Sequence, residues 1–363
     1  MTAAGSIPGL TYEWSIAVSA AFAAIVCTLI TIVIEKFGGL LGGVLGSVPT
    51  TIIPASLGFY YQYRFLGSSS ITPHATQAGL EEYQKSMISV VPGMILNAFF
   101  LLMWRYLPAL YRKSYPTLTL YRLLILVFAT AIVIWLGLAV GLVSFLRAVL
   151  PSNDIPESSV DSAKGDDLEL VLISKEMVGS FSLGFGALLV LASLGLASGW
   201  NPPPAPRAAS KVAPLILVAR GFFAGIAIGI YFHFPHRMEL TKITVKTGAS
   251  ILIGRISPWA GGVASVFPVI FTTSMVAVWV SSGEAVSAGA IGSLMLGSAS
   301  VGSYALFSAI FVPVLGFWGV TAVAWIVSVV GVSLPSFLYL RWRREVTASD
   351  DLKDKEATNP GQQ

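Results

Sequence analysis

The sequence predicts an all-α polytopic membrane protein with about nine transmembrane helices, on the ~20-residue criterion for a helix that spans a bilayer. Three observations support this fold class. Hydrophobic residues make up 55% of the 363 and charged residues only 11%, less than half of the roughly 25% that a soluble domain uses. The mean hydropathy is +0.78. The charged residues are clustered, and the apolar blocks between them are long enough to cross the hydrocarbon core.

The predicted spans are taken in chain order. They are residues 14–35, 39–60, 86–108, 119–149, 177–199, 212–234, 258–281, 285–316 and 318–341. The fourth and eighth spans are longer than the bilayer requires, so we expect them to tilt or break. The second and seventh contain glycine and proline, which weaken a straight helix, so we expect these two to be interrupted.

These spans divide the chain into four parts. The parts are a first transmembrane repeat (1–149, spans one to four), a linking segment (150–211) with an acidic loop, span five and a proline-rich connector, a second transmembrane repeat (212–341, spans six to nine) and a cytoplasmic tail (342–363). The tail is charged and then polar, and we expect it to be disordered. Residues 61–85, between spans two and three, are polar and are expected to form a loop.

The positions of the basic residues predict the orientation of the chain. Lysine and arginine collect beside the connection of spans three and four, the connection of spans five and six, and the end of span nine: Arg105, Arg112, Lys113, Arg122, Arg207, Lys211, Arg341, Arg343 and Arg344. These places share one side, which the positive-inside rule assigns to the cytoplasm together with the C-terminus. Residues 233–255 are also basic but fall outside. Either they lie along the interface, or the span count differs by one there.

Two proline-containing motifs, GGVLGSVPTTIIP (42–54) and GGVASVFPVIFTT (261–273), predict an internal repeat. They share two glycines, a valine and a proline: Gly42 with Gly261, Gly43 with Gly262, Val44 with Val263, and Pro49 with Pro268. Each motif follows one apolar segment and precedes two more. Each span of the first repeat corresponds to the span five places later in the chain. Because five is odd, the two four-helix repeats would cross the membrane in opposite senses. Span five would join them as a linking helix. Many secondary transporters are built from inverted repeats around a midplane site.

The motifs point to a binding site between the two repeats. Pro49, Pro54 and Pro268 each remove a backbone donor, and an interrupted helix exposes free N–H groups that suit an anion or free carbonyls that suit a cation. Hydroxyl groups accompany the prolines: Thr50, Thr51 and Ser56 in the first region, and Thr272, Thr273 and Ser274 in the second. A packing role is the alternative, since glycines let helices approach closely, prolines kink helices, and hydroxyls can bond back to the backbone.

Polar residues inside the predicted spans are further candidates because they are costly in lipid. Arg220 lies in span six, roughly 12 Å along a helix of 1.5 Å rise per residue. It would contact an anion, pair with an acidic residue such as Glu35, or extend toward the interface. Asn97 in span three would either hydrogen-bond to another helix or contact a solute. In span eight, small residues including Gly297 and Ser300 form either a packing face or a polar path.

These features favour a secondary carrier or facilitator for a small polar or anionic solute that works by alternating access. Its candidate solute-binding residues are Arg220, Gly42, Gly43, Pro49, Thr50, Thr51, Asn97, Gly261, Gly262, Pro268, Thr272 and Thr273. The expected partners are the lipid bilayer and the solute, with a coupling ion as a further candidate. No nucleic-acid partner is expected, because no basic run of the required kind is present. The four-plus-four inverted arrangement resembles that of drug/metabolite-type carriers in architecture and not in any residue motif.

Other classes of function find less support in the sequence. A non-transporting membrane scaffold or lipid-organising protein is the alternative, and it would lack the polar, water-accessible cavity expected of a carrier. An enzyme is not expected, because no phosphate-binding loop, H-E-x-x-H or G-x-S-x-G motif is present. No metal or other cofactor is expected either. His233 and His236 form an H-x-x-H pair, but only His74 remains as a third histidine, and Cys27 is the single cysteine.

Overall fold

The computed structural model describes residues 44, 48–49, 52–66, 73–149, 184, 186–187, 190–195, 257–268, 271–272, 275–276, 279–280 and 284–358. Within these residues the regular secondary structure is entirely helical. The helices are α1 (Ile52–Leu66), α2 (Pro73–Ser114), α3 (Leu120–Val149), α4 (Pro258–Ser265), α5 (Glu284–Gly289), α6 (Ile291–Ser328) and α7 (Leu334–Thr358), with a π-helical turn at Val329–Ser333 between the last two.

Three helices among the described residues are long and apolar enough to cross a membrane: Gly79–Ser114, Leu120–Ala148 and Ile291–Arg343. Their hydropathies are 1.9, 2.8 and 2.1. These helices indicate an integral membrane protein, as the composition predicts. On the outer face of α3, Ile125, Val133 and Val140 are 65%, 68% and 68% exposed. An apolar surface of this kind suits contact with lipid.

Helices α1 and α2 extend into the segment that the sequence predicts as a polar loop. Residues 61–66 belong to α1 and α2 begins at Pro73, so the loop prediction for 61–85 is wrong over most of its length. Two features explain the early start of α2. A proline suits the first turn of a helix, where an N–H would have no intrahelical partner. The second feature is an ion pair across one turn of the helix, in which Lys85 Nζ lies 2.8 Å from Glu82 Oε1.

The third membrane-crossing helix is bent back on itself at Gly316. This glycine has φ 66° and ψ 170°, a conformation that glycine adopts readily and other residues rarely adopt. Leu296 from the first arm (291–315) and Leu340 from the second arm (317–343) pack in one apolar cluster with Val44. The two arms therefore run alongside each other in opposite directions. The bend falls between the predicted spans eight and nine.

Helix α7 continues to Thr358, through residues 342–358 that the sequence predicts to be disordered. Local contacts account for this difference. Arg341 Nε lies 3.1 Å from Glu345 Oε1, one turn later, and Ser349 Oγ donates to Glu345 O at 2.8 Å. Arg, Glu, Lys and Ala also have high helix propensity, so the helix extends beyond the apolar segment.

Helices α2 and α6 lie at the centre of the described bundle and run antiparallel. Near the start of α2, Gln84 Nε2 donates to Ala309 O of α6 at 2.7 Å. Near the end of α2, Arg112 forms an ion pair with Glu284, which precedes α6 in the chain. Residue numbers therefore rise along α2 as they fall along α6. Helices α3 and α4 also pack against α2.

Candidate functional site

The seventh predicted span is interrupted at its motif. Helix α4 ends at Ser265. The N–H of Phe267 then turns back to Ala264 O at 3.1 Å. Pro268 is buried in a bend, and the chain is helical again at residues 271–272. The interruption that the proline predicts is present.

The second predicted span shows the same local pattern wherever the structure describes both motifs. Val44 is helical, Val48 and Pro49 lie in a turn, and α1 begins at Ile52. The aligned residues of the second motif follow the same order, with residue 263 helical, residues 267–268 non-helical and residue 271 helical. The two motifs therefore share a helix, a turn and a helix at matching positions.

Asn97 of α2 bonds to the interrupted segment from the neighbouring helix. Its side chain is 2% exposed. Nδ2 donates to Val266 O at 2.6 Å, and Oδ1 accepts from Trp135 Nε1 of α3 at 3.1 Å. Val266 is the C-cap residue that follows α4, where carbonyls lack intrahelical donors. Both ends of the Asn97 amide are therefore hydrogen-bonded to neighbouring segments of the chain.

Gly262 allows α4 to lie directly on the backbone of α2. A Cβ at this position would come within 2.0 Å of Ser86 O and 1.9 Å of Ser89 Oγ. Gly93 of α2 is similarly close, with an added Cβ 2.5 Å from Val266 Cγ2. Gly261 is buried beside Gly262 in the same short helix. In the second motif the glycines therefore act in helix packing.

Thr272 directs its hydroxyl to its own backbone. Thr272 Oγ1 donates to Pro268 O at 2.5 Å, and the N–H of Thr272 bonds the same carbonyl at 2.8 Å. The side chain is buried, so this bond satisfies a polar group that would otherwise be costly. Pro49, the matching proline of the first motif, is buried in its turn. The remaining candidates, Gly42, Gly43, Thr50, Thr51, Arg220 and Thr273, lie outside the described residues.

A buried cluster of hydroxyl groups links α1, α2 and α6, and sequence reasoning did not identify it. Ser56 Oγ lies 2.9 Å from Tyr83 OH and accepts from Tyr304 OH at 3.4 Å. These side chains are at most 1% exposed. Ser308, one turn beyond Tyr304, lies beside Tyr83 without the geometry of a hydrogen bond to any described group. The i, i+4 spacing predicts a shared face for Tyr304 and Ser308, but no sequence signal pairs them with Ser56.

Gln84 of α2 replaces a backbone hydrogen-bond donor that α6 lacks at Pro313. In an uninterrupted helix the N–H of residue 313 would bond Ala309 O, and proline has no N–H. Gln84 Nε2 of α2 donates to this carbonyl instead, at 2.7 Å. The sequence shows a proline inside a long apolar span, but it does not identify the hydrogen-bond partner on another helix.

Charged side chains connect the helix ends. Arg112 pairs with Glu284, and Arg147 Nε at the end of α3 lies 3.3 Å from Ser257 Oγ, next to the start of α4. Within the part of the chain that the structure describes, no three His, Cys, Asp or Glu side chains come together as a metal site would require.

A cavity of about 490 Å³ lies between α2, residues 186–187 and 190–191, and the two arms around Gly316. Among the described residues that line it, Ser303 alone has a polar side chain, and the others include Met94, Leu306 and Val332. The cavity is only partly enclosed by the described residues.

Comparison of the chain with protein-family models, with curated proteins and with solved structures finds no match.

Proposed function

We propose that the chain is a multi-pass membrane carrier that moves a small polar or anionic solute by alternating access between two inverted four-helix repeats. The observation that carries the proposal is the match between the two proline motifs. Where both are described, each has a helix, a turn and a helix at the same aligned positions. Discontinuous helices at a repeat interface form the substrate sites of many secondary transporters.

The packing of the described helices supports the same proposal. If spans three and eight are equivalent in an inverted repeat, they must run in opposite senses, and α2 and α6 pack antiparallel. The second motif packs against α2 at Gly262. Val44 of the first motif packs against Leu296 of α6. In the proposed arrangement each interrupted segment would contact the long helix of the other repeat, as a two-fold relation requires.

In this proposal the solute contacts the first motif and span six. Thr50 and Thr51 would supply hydroxyl groups, and Arg220 would supply positive charge to an anionic solute. Asn97 and Thr272 already have internal hydrogen-bond partners, so they would hold the framework rather than the solute. The two repeats would rock against each other about the packed faces of α2 and α6.

A panel of small anions tests the charge in this proposal. The purified full chain is heated with inorganic phosphate, sulfate, acetate and longer carboxylates, because a ligand that binds the folded state raises Tm. We expect at least one anion to raise Tm in the wild type and not in Arg220→Ala. Arg122→Ala is the matched control, since Arg122 is exposed at the start of α3. Equal stabilisation of the Arg220→Ala variant would show that the charge assignment is wrong.

Proteoliposomes test the transport step. The stabilising anion, radiolabelled, should exchange across vesicles that contain the wild-type chain and not across empty vesicles. A second candidate function, a non-transporting membrane scaffold or lipid-organising protein, predicts binding without exchange. The close packing at Gly262 and the internal bonds of Thr272 favour this alternative, because both motif residues serve structure.

A further inference from the structure

Aromatic side chains from three helices meet beside the corner at Gly316. Tyr60 of α1 stacks on Phe317, the first residue of the second arm, with ring centroids 4.3 Å apart and 17° between the ring planes. Tyr83 of α2 lies edge-on to both rings, with centroids 6.1 Å from each. These three rings form the aromatic contact. Phe317 is buried and Tyr60 is partly exposed, so Tyr60 is its outermost member.

The buried hydroxyl cluster of Ser56, Tyr83, Tyr304 and Ser308 adjoins this contact. Tyr83 belongs to both groups, because its ring touches Phe317 while its hydroxyl lies 2.9 Å from Ser56 Oγ. Ser308 Oγ is buried with no hydrogen-bond partner among the described residues. A buried hydroxyl left without a partner costs about 1–3 kcal/mol. A state in which water or a polar solute reaches the cluster would supply the missing hydrogen bond.

Helix α1 joins the hydroxyl cluster to the first motif. It begins at Ile52, the residue after Thr51. Ser56 and Tyr60 follow one and two turns later, about 6 Å and 12 Å along the axis at 1.5 Å per residue. The proposed function places the solute at Thr50 and Thr51. On this helix a cluster hydroxyl therefore lies between the proposed solute contacts and the aromatic contact.

The backbone at the corner can release Phe317 without moving the first arm. Gln84 Nε2 of α2 holds Ala309 O of the first arm at 2.7 Å. Phe317 follows the corner and contacts α1 and α2 through its ring. Gly316 has φ 66°, and a glycine can change its torsions more freely than other residues. A torsional change there would redirect the Phe317 ring, as hinge residues do.

We propose that the aromatic contact is a gate between the hydroxyl cluster and the membrane face at Gly316, and that it opens when Phe317 turns away from Tyr60 and Tyr83. The structure is the closed form. Passage of the solute through this gate rests on the proposed function. Closure itself rests on the packing of the rings, so it is measured as access of a water-soluble reagent to the cluster, without transport.

A cysteine in the cluster reports the state of the gate. Ser308→Cys is made in a Cys27→Ser background, reconstituted as the full chain in liposomes and treated with a membrane-impermeant maleimide. A minor open state is typically populated at about 0.1–10%, so adding Phe317→Ala should raise the labelling rate at least about tenfold. Tyr60→Ala removes the other half of the stack and should act alike. Trp318→Ala is the matched control, because Trp318 is 67% exposed on the same arm.

A second cysteine position separates opening of the gate from general loosening. Ala131 is 0% exposed on α3, and Ala131→Cys should stay unreactive in every background. Equal labelling of Ser308→Cys with and without the Phe317 ring would overturn the proposal. Labelling of Ala131→Cys that rises together with that of Ser308→Cys would also overturn it, because the lost ring would then have loosened the whole bundle.

A reversible cross-link connects the gate to transport. Tyr60→Cys and Phe317→Cys are joined by a short bis-methanethiosulfonate reagent, and exchange of the stabilising anion in proteoliposomes should stop and return on reduction. Undiminished exchange through the cross-linked protein rejects the gate and leaves the carrier standing. Faster labelling of Ser308→Cys in Phe317→Ala, with no exchange of any anion by the wild type, confirms the closure and rejects the carrier.

Discussion

At the scale of single residues, the close contact between α4 and α2 depends on the absence of one side chain. The nearest atoms to an added Cβ on Gly262 include the carbonyl oxygen of Ser86, which cannot move away by rotating a side chain. The Ser86 hydroxyl also reaches Pro258 O at 3.1 Å across the same contact. The two helices therefore meet backbone to backbone, as small residues allow in membrane proteins.

We expect Gly262→Ala to destabilise the chain by about 1–3 kcal/mol, the usual cost of an overpacked core. Gly137→Ala on the outer face of α3 is the control, and it should be neutral or gain up to about 1 kcal/mol from helix propensity. Thermal unfolding of the full chain in detergent measures both. Equal Tm values for the two variants would show that α4 does not lie this close to α2.

Asn97 illustrates what the sequence can and cannot predict about one residue. A polar amide deep in an apolar span predicts either a hydrogen bond to another helix or a solute contact, and in the structure both ends of the amide are hydrogen-bonded within the protein. The partners are Val266 and Trp135, at sequence separations of 169 and 38 residues. The choice between a helix contact and a solute contact depends on which helices are neighbours. The pattern of apolar spans along the sequence does not show which helices are neighbours.

At the scale of helices, α6 contains a proline that cannot donate a backbone hydrogen bond, and a side chain of another helix donates to the same carbonyl instead. Gln84 is the donor to Ala309 O, so α2 and α6 are connected at the position where α6 is locally weak. Pro313 lies three residues before the bend at Gly316. Gln84 thus ties α2 to the part of α6 that leads into the turn.

A double-mutant cycle tests this role of Gln84. Gln84→Leu should cost about 1–3 kcal/mol, because it leaves a buried carbonyl without a donor. In the Pro313→Ala background, the restored N–H can bond Ala309 O, and most of that cost should disappear. Unfolding of the four proteins gives the coupling energy. If Gln84→Leu costs the same in both backgrounds, the glutamine does not replace the bond that the proline removes.

Helix boundaries were predicted best where the ends of a long apolar segment determine them. The fourth span was predicted at 119–149 and α3 covers Leu120–Val149, because an uninterrupted apolar run ends where the polar residues begin. Outside the apolar runs the prediction was poorer. Residues 73–85 and 342–358 are polar yet helical, since local pairs such as Lys85 with Glu82 and Arg341 with Glu345 stabilise helices beyond the hydrophobic segment.

At the scale of the whole molecule, the contacts place two connections on the same side of the membrane. The pair of Arg112 and Glu284 brings the end of α2 to the start of α5 and α6. From there the first arm leads away to Gly316 and the second arm returns toward Arg341. The connection between α2 and α3 and the charged part of α7 are therefore on one side. The basic residues predict that this side is the cytoplasmic one.

Cysteine labelling checks this arrangement. In a Cys27→Ser background, we expect Thr117→Cys and Ser349→Cys to react with a membrane-impermeant maleimide only after the cytoplasmic face is opened. Thr117 lies in the exposed connection before α3, and Ser349 is exposed on α7. Labelling of the two positions from opposite sides would contradict the hairpin at Gly316.

The hairpin at Gly316 also determines where other molecules can recognise this region. One residue makes the corner, so the two arms present almost no loop at that surface for a protease, a glycosyltransferase or an antibody. The ion pair of Arg112 and Glu284 and the charged length of α7 lie at the opposite end of the described bundle. We therefore expect a soluble factor that binds this region to approach from the face that carries those charges.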